Sequence, residues 1–335
     1  MIRKTLRFVM MAVFAIAIAA GLHSPAAAAL QSGDATPAAT PAATPTLPVT
    51  VKDVNGKDVK ITDVSRIVPL SGDVAEIVSD LGLAKNVVGV DVSAVYPAGL
   101  WDALPKIGFE RNLSAEGVLS LNPTVVIGKE QAGPPPVLDQ IRAAGVPVVI
   151  IGEPQTIDAP TAKIRAVAAA LGVPQAGDEL AATTQSEIDA GRNFAAQATS
   201  KPTVLFIYIR GGGTQLIGGA GSVADAIIAA AGGTDAGVAA GIQGFMPVTA
   251  EALVAAAPEV IIVPQSGVDS IGGIDALLKI PGVAETPAGK AKKILVFDDL
   301  KLLGMTPRTG AMVRELAIAL HPELPAGTPV ATPAV

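Results

Sequence analysis

The chain has 335 residues, half of them hydrophobic, with a formal net charge of −6, no cysteine and two histidines. That length allows two domains with sizeable cores, and the acidic balance leaves no basic footprint for nucleic acid. Without cysteine there are no disulfides, no thiol catalysis and no cysteine-bound metal or cluster. Because the histidines are His23 and His321, near the two ends, neither a Ser-His-Asp triad nor a His-rich metal site fits the body of the chain.

Residues 1–29 follow a secretory pattern: Arg3, Lys4 and Arg7 precede an apolar run over 8–22 and small residues over 24–29. This predicts signal cleavage near Ala29 and a periplasmic, lipid-free product. Residues 30–48, rich in Ala, Thr and Pro, read as a disordered linker. The span 49–173 reads as a first α/β lobe. It opens with a hairpin around Asn55-Gly56 over 49–61 and a buried strand over 67–70. A helix over 72–81 is ended by Gly82. A strand over 87–91 leads into an exit loop, 92–97, that carries Tyr96. Helices over 113–121, 137–144 and 159–171 alternate with strands over 124–128 and 146–151, a pattern of parallel sheets.

Residues 174–201 read as one uninterrupted helix, rich in Ala, Glu and Gln, with Gly191 its one interior glycine. At 1.5 Å per residue it spans roughly 35 Å and bridges two lobes. The β/α pattern then restarts over 202–322, with strands over 203–209, 260–263 and 294–297. Helices are expected over 223–231, 250–257, 274–278 and 309–320, and residues 323–335 read as a flexible tail. Two repeats support duplication. Ser114-Ala-Glu116 and Thr249-Ala-Glu251 each open a helix followed at the same spacing by Pro123 or Pro258 and a strand. More loosely, 72–78 echoes 221–227. Ser114 and Thr249 fit N-caps, and the two glutamates suit a first turn, where the helix dipole favours a carboxylate.

The glycine runs 211–213 and 218–222 match neither a P-loop nor a dinucleotide fingerprint. They read instead as places where backbone approaches a ligand or the other lobe. Aromatic residues make up 3% of the chain, with one Trp and two Tyr. Both tyrosines fall at strand exits, where open parallel sheets bind ligands. Pro97 biases Tyr96 toward extended backbone. Arg210 shares a face with Tyr208 if the strand runs that far, and a nearby cation favours phenolate, which can ligate ferric haem iron. On the residues alone, a cleft or core aromatic with a hydrogen-bonded hydroxyl is the plainer reading of each tyrosine.

The stretches 87–97 (VVGVDVSAVYP), 104–109 (LPKIGF) and 113–123 (LSAEGVLSLNP) resemble periplasmic haem-binding proteins of bacterial ABC-type haem importers. So do 246–253, 272–278, 281–289 and 302–308 (LLGMTPR). The resemblance implies two Rossmann-like α/β lobes joined by one long rigid helix, a class III periplasmic substrate-binding protein. It implies a monomeric, non-enzymatic carrier of ferric protoporphyrin IX. It places Tyr96 as the iron ligand and Tyr208 with Arg210 as a second candidate, and it puts Phe109, Met246, Met305 and Arg308 around the haem. A first-lobe histidine that accompanies the second pattern in part of the family is absent. The family's lobe-tip glutamates, which dock on an ABC transporter permease dimer, fall on Glu116 and Glu251. A siderophore or cobalamin carrier of the same fold is the alternative, and a secreted enzyme or adhesion module using the cleft is a third.

Overall fold

The computed structural model describes residues 43–325. The expected signal segment, residues 30–42 of the expected linker and residues 326–335 of the expected tail lie outside them. Residues 43–48 are not a free linker. Ala43 and Leu47 pack against the first core, and the Thr46 N–H donates to the Gly172 carbonyl at 2.8 Å. Likewise Leu324, expected in the tail, packs against the core of the second half.

Strands β1 (Val49–Lys52) and β2 (Asp58–Ile61) form the expected antiparallel hairpin. Strands β3 (Ile67–Pro69), β4 (Val125–Lys129) and β5 (Val148–Ile151) form a parallel sheet in that order. Helices α1 (Gly72–Asp80), α2 (Ala115–Leu119), α3 (Pro135–Ala143) and α4 (Ala159–Ala170) cover it. Alternate residues serve opposite faces, as a two-residue period requires. Ile67, Val125, Ile127 and Val149 join α1, α4 and the hairpin. Val68, Val126, Val148 and Ile150 join α2 and α3. The expected strand over 87–91 is reduced to isolated bridges, Val87 to Ile67 and Val90 to Lys106.

Helix α5 (Pro174–Ala195) crosses between the halves, with Ala181 in the first core and Phe194 and Ala195 in the second. It stops six residues short of the predicted end. Thr199 and Ser200 are weaker helix formers, and Pro202 pushes Lys201 out of the helical region. Gly191 lets α5 and the last helix, α13 (Thr309–Leu320), approach: a Cβ there would lie 3.2 Å from the Gly310 carbonyl.

The second sheet is mixed rather than parallel, in the order β11-β10-β6-β7-β9, with β8 also on β6. Its strands are β6 (Thr203–Arg210), β7 (Thr214–Gly218), β8 (Thr234–Asp235), β9 (Phe245–Pro247), β10 (Val260–Pro264) and β11 (Ile294–Phe297). Strands β7 and β9 run antiparallel. One face packs on α6 (Val223–Ala230), α12 (Asp299–Leu303) and α13 (Thr309–Leu320). The other packs against a layer that includes α7 (Ala236–Ala239), α8 (Ala250–Ala256), α9 (Gln265–Ile271), α10 (Ile274–Leu277) and α11 (Pro287–Ala291). Gly218 and Gly219 serve this packing: a Cβ on Gly219 would lie 2.4 Å from the Ile242 carbonyl oxygen. Their run is internal to the lobe. His321, fully buried at the end of α13, sets its Nε2 3.1 Å from the Ala231 carbonyl. Among the described residues no helix is long and apolar enough to cross a membrane.

Candidate functional site

The loop after the Val90 bridge and helix α1, which follows β3, meet the turn between α12 and α13. Tyr96 stands in the loop after that bridge. Its carbonyl accepts from the indole Nε1 of buried Trp101 at 2.7 Å, so the chain's one tryptophan anchors the loop from the core. Val92, Val95 and Leu100 beside it are exposed apolar side chains.

Two arginines of the second half meet aromatic rings of the first. The Arg308 guanidinium carbon lies 3.6 Å from the centre of the Tyr96 ring. The Arg210 guanidinium carbon lies 5.4 Å from the centre of the Phe109 ring. Cations over ring faces are attracted by the ring quadrupole. Of the seven expected ligand-site residues, these four come together in two pairs. Tyr208 stands on β6, half-buried against the second core, on the same side of the strand as Arg210. The cation expected on Tyr208 therefore reaches Phe109, and it is Tyr96 that carries an arginine on its ring. Met246 lies on β9, half-buried against the second core's far face. Met305 is fully buried in the core at a φ of +46° and is not a cleft wall here.

Sequence reasoning missed a buried ionic cluster beneath this junction. Asp73, in the first turn of α1, pairs with Lys163 of α4 and lies 3.4 Å from Lys129 Nζ at the end of β4. Lys129 also lies 2.8 Å from Glu153 and 3.8 Å from Glu110. The Lys163 ammonium, wholly buried, donates to the Gly304 carbonyl at 2.7 Å, just past α12. Burial opposes the charge on Asp73, yet Lys163 and Lys129 outweigh it and hold the carboxyl well below its usual range. Burial also opposes the charge on Lys129, and Asp73, Glu153 and Glu110 together raise it. For Glu110, burial prevails over Lys129 and pushes the carboxyl up to about 6.

Glu76, one turn further along α1 and fully buried, accepts from Arg308 twice, from Nε and Nη2, each at 2.9 Å. Burial pushes the Glu76 carboxyl up against the pull of Arg308. Burial would lower Arg308, and Glu76 outweighs it. Asp80, a turn beyond, is pushed by burial and then by Glu76 to about 7.

Glu116 and Glu251 sit in the first turns of α2 and α8, exposed, where Ser114 and Thr249 cap the helices through the Gly117 and Ala252 N–H groups. An open groove of about 650 Å³ between the end of α5 and α6 is lined by Arg192, Lys201 and several alanines and includes none of the expected site residues.

A family model described as "Periplasmic binding protein" matches residues 67–300. The chain belongs to the periplasmic binding protein family. Among solved structures it is similar to the periplasmic heme-binding protein RhuT from Roseiflexus sp. RS-1 in apo form. The identity is 52% over 78% of this chain and 100% of that one, with a TM-score of 0.76. It is also similar to the periplasmic heme-binding protein BhuT in complex with two hemes, at 37% identity over 78% and 99% of the two chains, TM-score 0.71. To the heme-binding protein HmuT the identity is 34% over 84% and 93%, TM-score 0.78. No curated protein sequence gives a significant match. The family implies a periplasmic location and a binding role.

Proposed function

We propose that the protein binds ferric haem between its lobes and carries it to the permease of an ABC-type importer, acting as a carrier and not as an enzyme. The observation that carries this reading is the Tyr96–Arg308 stack at the strand exits, beside exposed Val92, Val95 and Leu100. Haem is a flat apolar plate with a ferric centre and two propionates. Tyr96 offers an anionic oxygen to the iron once it loses its proton. The apolar side chains offer faces to the ring. Arg210 and Arg308 offer cations to the propionates or to the phenolate. Similarity to three haem-binding proteins supports the choice of ligand. Phe109 adds an aromatic wall. Tyr208 is the second candidate ligand, and Met246 and Met305 lie further back.

The finer parts of the reading follow the same logic. The protein is exported with its signal removed, and it works as a monomer. It consists of a first lobe over 49–173, a helix that bridges, and a second lobe over 202–322. Exposed Glu116 and Glu251 open equivalent helices, one per lobe, and dock on the two permease subunits. Haemin titration followed by absorbance tests the ligand directly. A saturable Soret band with a tyrosinate-type ferric spectrum is expected. Binding of cobalamin or a ferric siderophore with no response to haemin would overturn the haem assignment. Glu116→Arg and Glu251→Arg should leave that titration unchanged while slowing delivery to the permease, and normal delivery by both would remove the docking role.

A further inference from the structure

The buried ionic cluster does not balance its charges. Four carboxylates meet there: Asp73 on α1, Asp91 after the Val90 bridge, Glu110 in the loop that carries Phe109, and Glu153 after β5. Two ammonium groups face them, Lys129 at the end of β4 and Lys163 on α4. Arg111, the other cation near Glu110, lies 4.0 Å away and is largely exposed, so solvent screens it. Nor are the two ammoniums shared evenly. Lys163 pairs with Asp73 and lies 3.5 Å from Glu153, and Lys129 lies 2.8 Å from Glu153. Glu110 is the most distant of the three partners of Lys129, at 3.8 Å, beyond hydrogen-bond length. Asp91, fully buried, is served by neutral donors, the Ser93 N–H at 2.6 Å and the Glu110 N–H. Oε2 of Glu110 and Oδ2 of Asp91 have no hydrogen-bond partner among the described residues. A carboxylate so placed sheds its charge by keeping its proton, and burial pushes both acids up, Glu110 to about 6.

Glu110 is also where the cluster reaches the cleft. Phe109 precedes it and meets Arg210 of the second half. The Glu110 carbonyl accepts from the Gly133 N–H at 2.8 Å, and the Gly108 carbonyl accepts from the Val92 N–H at 3.0 Å, at the root of the Tyr96 loop. We propose that Glu110 is a proton-binding switch for the loop over 108–112. With the proton on, three negative charges face two positive ones and the loop is seated on the first lobe. With it off, the excess charge loosens the loop and the Phe109–Arg210 contact between the halves. The inference deepens the haem-carrier reading and rests on it for its meaning in function, while the proton site is tested without haem.

Glu110 holds its proton more tightly when buried than when unfolded. The stability it contributes is therefore full below pH 4.5 and is lost as the pH rises to about 6. Glu110→Gln copies the protonated acid and has no proton to lose. In haem-free protein, the melting temperature of Glu110→Gln minus that of wild type should rise by a few degrees from pH 4.5 to about 6 and level off above it. Glu110→Met, uncharged and of similar size, repeats the comparison if the amide misfolds. A difference that stays flat with pH, or one that falls as the pH rises, would overturn the proposal. Haemin titrations below and above the same window read the link to the cleft. Wild type should lose affinity relative to Glu110→Gln as the pH rises, a ratio from which any pH dependence common to both proteins cancels. A constant ratio would overturn the switch. Failure of both proteins to bind haemin at any pH would sink the carrier reading instead and leave the proton site standing on the melting curves.

Discussion

At the carboxyl end of β4 the first lobe buries Lys129 among three carboxylates. At the carboxyl end of β6 the second lobe turns through Gly211, Gly212 and Gly213, where an added Cβ would meet open space. Each tyrosine inherits one of these settings. Tyr96 rises from a loop anchored by Trp101 and faced by an arginine that is itself braced. Tyr208 is fixed in a strand, opposite Leu216 of β7, and leads to a turn held by one hydrogen bond, from the Gly211 N–H to Ser270 Oγ at 2.8 Å, with no ionic pair behind it among the described residues. The difference teaches that the first lobe backs its strand exits with buried ionic pairs and a sheet buried on every strand, whereas β7, β9 and β11 of the second sheet are partly exposed.

The strongest way to break the comparison is to remove each tyrosine. Tyr96→Ala should weaken haem binding by about 100-fold or more, about 3 kcal/mol, and abolish the tyrosinate spectrum. Tyr208→Ala should cost about tenfold or less. Haemin titrations of the two variants decide it. A larger loss at Tyr208 would move the iron to the second lobe and reduce the Tyr96–Arg308 stack to a contact between lobes.

How much of this was legible follows from the same contrast. The first sheet was readable because buried parallel strands are short apolar runs between helices, and 67–70, 124–128 and 146–151 have that form. Strands β7 and β9 were not, because a glycine turn and a short mixed sequence carry no period. The Tyr96 loop was legible from Tyr-Pro and a neighbouring Trp. The resemblance named Arg308 as a site residue, but its pairing with the Tyr96 ring and Glu76 was not legible, since Arg308 and Glu76 are 232 positions apart. No signal betrayed the buried acids: Val74, Ala75, Ile77 and Val78 share one side of α1, and Asp73, Glu76 and Asp80 fall on the other, which reads as a wet face. The structure buries Asp73 and Glu76 all the same, and acids so placed need buried partners. Charged residues elsewhere read by default as solvated, and so Lys129 and Lys163 went unnoticed.

The next test concerns the bracing itself. Lys163→Met leaves Asp73 buried with one cation fewer and frees the Gly304 carbonyl. Breaking a buried pair in this way costs about 3–5 kcal/mol. Lys52→Ala removes an exposed pair with Asp58, at 2.7 Å, and should cost under about 1 kcal/mol despite its good distance. Denaturant unfolding measures both. Adding Asp73→Leu to Lys163→Met should recover much of the loss, because a buried pair replaced by apolar groups is often neutral. A Lys163→Met protein as stable as wild type would show that Lys129 alone neutralises Asp73, and that the brace is redundant.

The finest distinction is between two glycines on opposite sides. Gly72 begins α1, and a Cβ there would lie 2.3 Å from the Ser93 carbonyl oxygen in the Tyr96 loop. Its N–H also donates to Ser93 Oγ at 3.0 Å. The clash is with backbone, so the loop or the helix must shift. Gly72→Ala should therefore destabilise by about 1–3 kcal/mol, the usual scale of overpacking, although alanine is the better helix former. The displaced loop should also carry Tyr96 away from Arg308 and weaken haem binding. Gly212 sits in the β6–β7 turn with nothing near its missing side chain, so Gly212→Ala should change stability by no more than about 0.5 kcal/mol and leave haem binding unchanged. Thermal melts with haemin titrations of the two alanine variants compare the lobes at the level of a single methyl group. Equal tolerance at both positions would mean that the Tyr96 loop gives way as freely as the glycine turn, and the braced lobe would lose its distinction from the open one.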